Sequence, residues 1–169
     1  MDEIDEIIII YLRLDPYLAQ WLIHEHGDPV VFPKNSAEND VLELGLIRKP
    51  FLACTPGPGE NRVPIVVPYF KNKDVRKYNY LDAAGRRSLA KCIRSRFVIS
   101  LWNDLYKFGH IGRQKQDLIW TWMEAHGIEA SETNFNTIFK IYKRKRDVYR
   151  HNLKIANRNV PRGKKGEKF

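Results

Sequence analysis

Apolar positions fall into two regimes along the chain. Up to about residue 70 they come in short runs cut by Pro, Gly and Asp; from residue 82 they recur every three or four positions. The first regime predicts strands mixed with short helices, the second long helices. Ile7–Leu14, dense in β-branched residues, reads as a buried strand. Asp15-Pro16 then supplies an N-cap and a first-turn proline, and Tyr17, Leu18, Trp21 and Leu22 form the inward stripe of a helix stopped by Gly27. Val30–Phe32, between Pro29 and Pro33, reads as a short edge strand. Asn35 or Ser36 caps a second helix, with Glu38 at the capping-box position counted from Asn35 and with Val41, Leu42 and Leu44 as its apolar surface. Phe51–Cys54 and Arg62–Phe70 are strand candidates on either side of Pro56-Gly57-Pro58-Gly59.

The second regime opens after a basic, aromatic-studded stretch, residues 71–81, that reads as a linker. Leu89, Ile93, Phe97, Leu101 and Leu105 repeat at i+4 and predict one helix from about Asp82 to Lys107, broken by the Phe108–Gly112 stretch. A second helix spans Arg113–His126 with Leu118, Ile119, Trp122 and Met123 inward. Gly127 ends it, and Ile128 stands where a Schellman motif places its apolar contact with Met123. Ser131 or Thr133 caps a third helix whose stripe is Phe135, Ile138, Phe139 and Tyr142, extended by Tyr149 and Leu153. The fold class expected is α+β. A small mixed unit (1–70) is followed by the linker, a three-helix, helix-turn-helix-like region (82–156) and a flexible basic tail (157–169).

Charge adds what the pattern does not. The 169 residues carry a formal net charge of +9. Residues 1–70 hold five basic and eleven acidic side chains, net −6, whereas 71–169 hold 24 and nine, net +15. Solubility alone gives no reason to segregate the signs, so the back half is expected to meet a polyanion, nucleic acid first. No apolar run approaches the ~18 residues of a membrane span, and the acidic N-terminus lacks the basic start of a secretory signal. Cys54 and Cys92 form no CxxC pair and are expected as buried small apolar residues in a reducing, cytoplasmic setting.

The third helix carries the candidate interface. With Phe135, Phe139 and Tyr142 inward, Asn136, Lys140, Lys143 and Arg144 share an adjoining exposed face, bordered by Thr133 and Thr137. Lys and Arg suit phosphates and guanine edges, Asn suits adenine, and Arg150 lies where the backbone would run. Arg87, Lys91 and Arg94, joined by Arg86, form a second stripe on the long helix; Arg113 and Lys115 open the helix between. The alternative for each face is plain solvation. Tyr69, Phe70, Tyr78 and Tyr80 interleave with Lys71, Lys73, Arg76 and Lys77, a mixture that stacks single-stranded bases or anchors a loop to the core. Arg158, Arg162, Lys164, Lys165 and Lys168 would add a salt-sensitive arm.

Motifs of catalysis are missing: the chain has no Walker-type loop, GxGxxG, GxSxG or HExxH. His24-Glu25-His26 invites a metal reading, but on a helix i and i+2 diverge, and a histidine near a helix C-terminus is ordinary dipole complementarity. The expectation is a non-enzymatic protein without metal, cofactor or small-molecule substrate. It would dock its third helix on duplex DNA in a regulatory or replication role, with a second copy of the chain as a candidate partner. The alternative is a structural or assembly protein whose basic half meets packaged nucleic acid or an acidic protein. A third reading, a nuclease or initiator using His24 and His26, would depend on a metal. Leu81–Arg150, above all Leu101-Trp102-Asn103-Asp104-Leu105 and Asp117-Leu118-Ile119-Trp120 through His126-Gly127-Ile128-Glu129, resembles small uncharacterised basic proteins of Bacteroidota prophages and mobile elements. That resemblance implies a phage or mobile-element setting and carries over no active site.

Overall fold

A computed structural model describes residues 7–108 and 114–158. Strand β1 (Ile9–Arg13) is followed by helix α1 (Pro16–His26), helix α2 (Ala37–Gly45), strand β2 (Leu46–Arg48), strand β3 (Arg62–Val66) and strand β4 (Tyr78–Leu81). Three helices follow: α3 (Ala83–Phe108), α4 (Lys115–Ala125) and α5 (Glu132–Arg158). The class is α+β, as the two regimes predict. β1 pairs antiparallel with β3, Ile9 opposite Val66 and Leu12 opposite Val63. β2 pairs antiparallel with β4, Leu46 opposite Leu81, with a register shift between Ile47 and Arg48. No helix among the described residues is long and apolar enough to cross a membrane.

The 71–81 stretch is structure rather than linker. Its end is β4, Val75 is buried, and Lys73 donates to the backbone carbonyls of Glu43 and Leu46. The short run Leu46–Arg48 gave too few positions to show alternation, so the strand that organises β4 was illegible. Three further expectations fail for local reasons. Val30–Phe32 contributes one bridge only: the Val30 N–H donates to the Pro64 carbonyl (2.8 Å) and the Val66 N–H to the Val30 carbonyl (2.9 Å). Phe51–Cys54 is a turn closed by the Ala53 N–H on the Pro50 carbonyl, because the run has no β-branched residue and a proline at its start. The capping box counted from Asn35 does not form, since Asn35 adopts φ 63° in the preceding turn and Glu38 is buried; the cap itself is Ser36, one of the two expected, whose hydroxyl accepts from the Asn39 N–H.

The helical predictions hold closely. Leu89, Ile93, Phe97, Leu101 and Leu105 are all buried along α3, and Tyr17, Leu18, Trp21 and Leu22 along α1. Both sets join one core with Leu12, Val63 and Ile65 from the strands and Ile119, Met123 and Ile138 from the later helices. The front and back of the chain therefore share a core. α3 is its spine, and Phe97 touches three aromatic rings at once, those of Tyr17, Trp21 and Trp122. α2 lies close on the start of α3 because both present glycine at the crossing: a Cβ on Gly85 would stand 3.2 Å from the Gly45 carbonyl oxygen.

The α4–α5 connection is a Schellman end. The Ile128 N–H donates to the Met123 carbonyl (2.9 Å), Gly127 takes φ +65°, and Ile128 is buried. A Cβ at Gly127 would come within 2.7 Å of the His24 ring. Gly127→Ala combines a disfavoured backbone with that clash and is expected to lower stability by roughly 2–3 kcal/mol. Urea denaturation followed by circular dichroism measures it, and a midpoint equal to wild type would show that α1 and the connection move apart freely.

Candidate nucleic-acid interface

α5 is held at its start. Ser131 accepts from the Asn134 N–H (3.2 Å), and the Asn134 amide, itself buried, donates to the Glu129 carbonyl (3.1 Å). Gln20 on α1 accepts from the Glu129 N–H (3.0 Å) and lies 3.4 Å from the Asn134 amide. Neither Gln20 nor Asn134 was singled out by sequence, since a buried amide leaves no periodic mark. Along its middle, Ile138 and Tyr142 face the core. Trp120 stacks on Phe135 at 4.4 Å, so Phe135 and Phe139 lie beside the inward line rather than on it. Tyr149 closes the contact with α3: its ring meets Trp102 and Tyr106, and the two phenol oxygens are 3.0 Å apart. That shared hydrogen bond raises the Tyr149 phenol above its ordinary range.

Beyond Tyr149 the helix continues to Arg158, and residues 150–158 are exposed throughout. The expected tail at 157 thus begins within α5, and residues 159–169 lie outside the described ones. Nine residues at 1.5 Å rise make an arm of about 14 Å past the contact. At 100° per residue, Asn136, Lys140, Lys143, Arg144, Arg150, Lys154 and Arg158 fall within an arc of about 120°. All seven are exposed, and Asp147 is the acidic residue among them. The basic part of this stripe, Lys140 to Arg158, is about 27 Å long. Lys154 went unnoticed in the sequence, although stepping i+7 and i+11 from Lys143 finds Arg150 and Lys154.

The first turns of α5 differ from the rest. Thr133 and Asn136 are exposed, but Glu129 and Glu132 stand beside them and Glu124 is exposed on α4. Thr137 spends its hydroxyl on the Thr133 carbonyl at 2.9 Å and is half-buried, so it borders the face without serving it. The connection between α4 and α5 covers residues 126–131, longer than the 3–4 residues of a helix-turn-helix turn. Positive charge is concentrated in the later turns, not at the N-terminal end that a repressor-type helix inserts.

The second stripe is smaller than the sequence suggested. Arg87 and Lys91 are exposed, but Arg94 pairs with Asp15 at 2.8 Å, and that hydrogen bond raises its guanidinium pKa further. Lys91 stands eleven residues, about 16 Å, along α3 from Trp102, where α5 docks. Lys115 is exposed at the start of α4, and Arg113 lies outside the described residues. The aromatic stretch is engaged internally: Arg48 and Lys73 face the Tyr78 ring (5.3 and 5.9 Å), and Arg86 faces Tyr80 (5.8 Å). Those rings anchor the strand to the core and are not free faces for bases.

Other chemistry is sparse. Asp104 accepts from the Trp122 indole N–H (2.9 Å) and lies 3.5 Å from His126 Nε2, while His126 Nδ1 is 2.8 Å from the Trp122 carbonyl oxygen. These groups edge an apolar cavity of about 280 Å³ lined by Leu105, Leu118, Thr121 and Ala125, and they fasten α4 to α3. His24 packs against Gly127, and the His26 ring meets Phe32 edge-on. Among the described residues no three His, Cys, Asp or Glu side chains come together as a metal site. Cys54 is exposed, contrary to expectation, since the Phe51–Cys54 run is a surface turn. Cys92 is partly buried, and burial, with Glu38 nearby, raises its thiol pKa. No protein family, curated protein or solved structure matches the chain.

Proposed function

We propose that the chain is a DNA-binding protein that lays the later turns of α5 against duplex DNA. The observation that carries this reading is the stripe itself. Lys140, Lys143, Arg144, Arg150, Lys154 and Arg158 share one exposed face about 27 Å long, and the last of them ride an arm clear of the core. One DNA turn is about 34 Å, so a helix of this reach can follow a groove and meet phosphates along it. Lys and Arg dominate the face, and its potential base readers, Thr133 and Asn136, sit next to carboxylates. Most of the binding free energy would come from phosphates, which position a protein without reading sequence. This composition also fits the second reading, a factor that coats or packages DNA. A regulator would prefer its site by orders of magnitude over random duplex, whereas a packaging factor would not. The sequence resemblance of residues 81–150 to mobile-element proteins supports phage or element DNA as the setting for either role.

The test is fluorescence anisotropy of a random duplex titrated with the full chain at several salt concentrations, with a single strand of equal length beside it. Six phosphate contacts predict a log–log salt slope of roughly −5 and a preference for duplex. A slope near zero, or no binding at low salt, overturns the reading. Preference for the single strand would contradict groove docking.

A further inference from the structure

The acidic front of the chain carries an apolar knob and, a few residues before it in sequence, one wall of an apolar socket. The knob is the turn after β2: Phe51 is 101% and Leu52 92% exposed, and Arg48 and Lys49 precede it. The socket is a groove of about 450 Å³ between α2 and the start of α3. Val41, Leu44 and Ile47 line it, the bare backbones of Gly45 and Gly85 form part of its floor, and Asp82 sits at its edge. Leu44 is 81% exposed. Asp40 stands one helical turn before Leu44, on the same side of α2. Isolated exposed apolar residues are normal, but this many together mark a contact surface.

We infer that this patch is a self-complementary interface with a second copy of the chain. Two features select that partner. Knob and socket lie on one chain and within a few residues of each other, so a two-fold axis lets each copy fill the other's groove. The charges match crosswise as well: exposed Lys49 precedes the knob, Asp82 lines the socket, and exposed Asp40 stands one helical turn from its Leu44. An anionic membrane or a DNA backbone would be attracted by Lys49 but repelled by Asp40 and Asp82. A dimer would bring two α5 arms to one duplex, so this inference extends the DNA reading without depending on it.

Sedimentation velocity of the full chain, free of nucleic acid, tests it from about 1 to about 100 µM, a range in which modest interfaces assemble. The mass should rise towards twice 19.9 kDa. Phe51→Glu and Leu44→Glu should each hold the chain monomeric with unchanged circular dichroism, since both side chains are exposed. Asp40→Lys and Lys49→Glu should each weaken the dimer and, combined in one chain, restore it. A wild-type monomer throughout the range overturns the inference, as does a dimer indifferent to Phe51→Glu. Binding of monomeric wild type to phosphatidylserine vesicles, lost with Phe51→Glu, would also overturn it and assign the knob to a lipid surface. Because no DNA is present, none of these failures touches the proposed DNA contact.

Discussion

Phe97→Ala lowers the unfolding free energy by roughly 3–5 kcal/mol, a large share of the ~5–15 kcal/mol that a domain of this size commands. Phe97 is fully buried and meets Tyr17 at 5.1 Å, Trp21 at 5.4 Å and Trp122 at 5.6 Å, each edge to face. Truncation removes its apolar transfer term, leaves a cavity and ends three aromatic contacts that hold α1, α3 and α4 together. The manner of unfolding is as informative as the amount. In a shared core, the front strands and the back helices lose structure in one transition. Far-ultraviolet circular dichroism and Trp21/Trp122-weighted fluorescence should give coincident urea curves for wild type and variant. Two separated transitions, with only the helical one shifted, would show that residues 1–81 fold apart from the rest.

Lys143→Ala, Arg150→Ala and Lys154→Ala together flatten the salt slope of duplex binding by about 2.7 and weaken binding by roughly two to three orders of magnitude near 0.1 M salt. All three side chains are exposed on one stripe of α5, so circular dichroism and thermal stability should match wild type. Arg87→Ala with Lys91→Ala is the internal comparison. Those residues lie on the separate α3 stripe, and their loss should leave the slope unchanged if α3 is off the DNA, whereas two lost phosphate contacts would flatten it by about 1.8. Arg94 is left out because it is committed to Asp15. Retention of wild-type affinity by the folded triple variant would remove α5 from the interface. A slope loss concentrated in the α3 pair would move the interface to the long helix.

Much of the helical half was legible because its signal is local and periodic. The α3 stripe, the Gly127 stop with Ile128 behind it, and the outward Lys and Arg of α5 follow from spacing alone, and the structure places them as that spacing implies. The strands were less legible. β2 has three residues and β4 four, below the length at which alternation can be told from chance, and each exists because the other is there to pair with. Aromatic residues among lysines misled in the same way: whether Tyr78 offers its face to a base or to Arg48 depends on a partner 30 positions away.

The sequence by itself determined the class, the helical faces and the segregation of charge, for these depend on each residue's polarity and on a fixed rise and rotation per residue. Tertiary structure decided the rest. It joined the two halves through Phe97, occupied Arg94 with Asp15, turned Phe51 and Leu52 outward and left a groove open between α2 and α3. It also ended the α3 contact at Tyr149, which leaves Lys154 and Arg158 on a free arm. Each of those outcomes is a contact, or the lack of one, between residues distant along the chain, and no local period encodes which distant surface arrives.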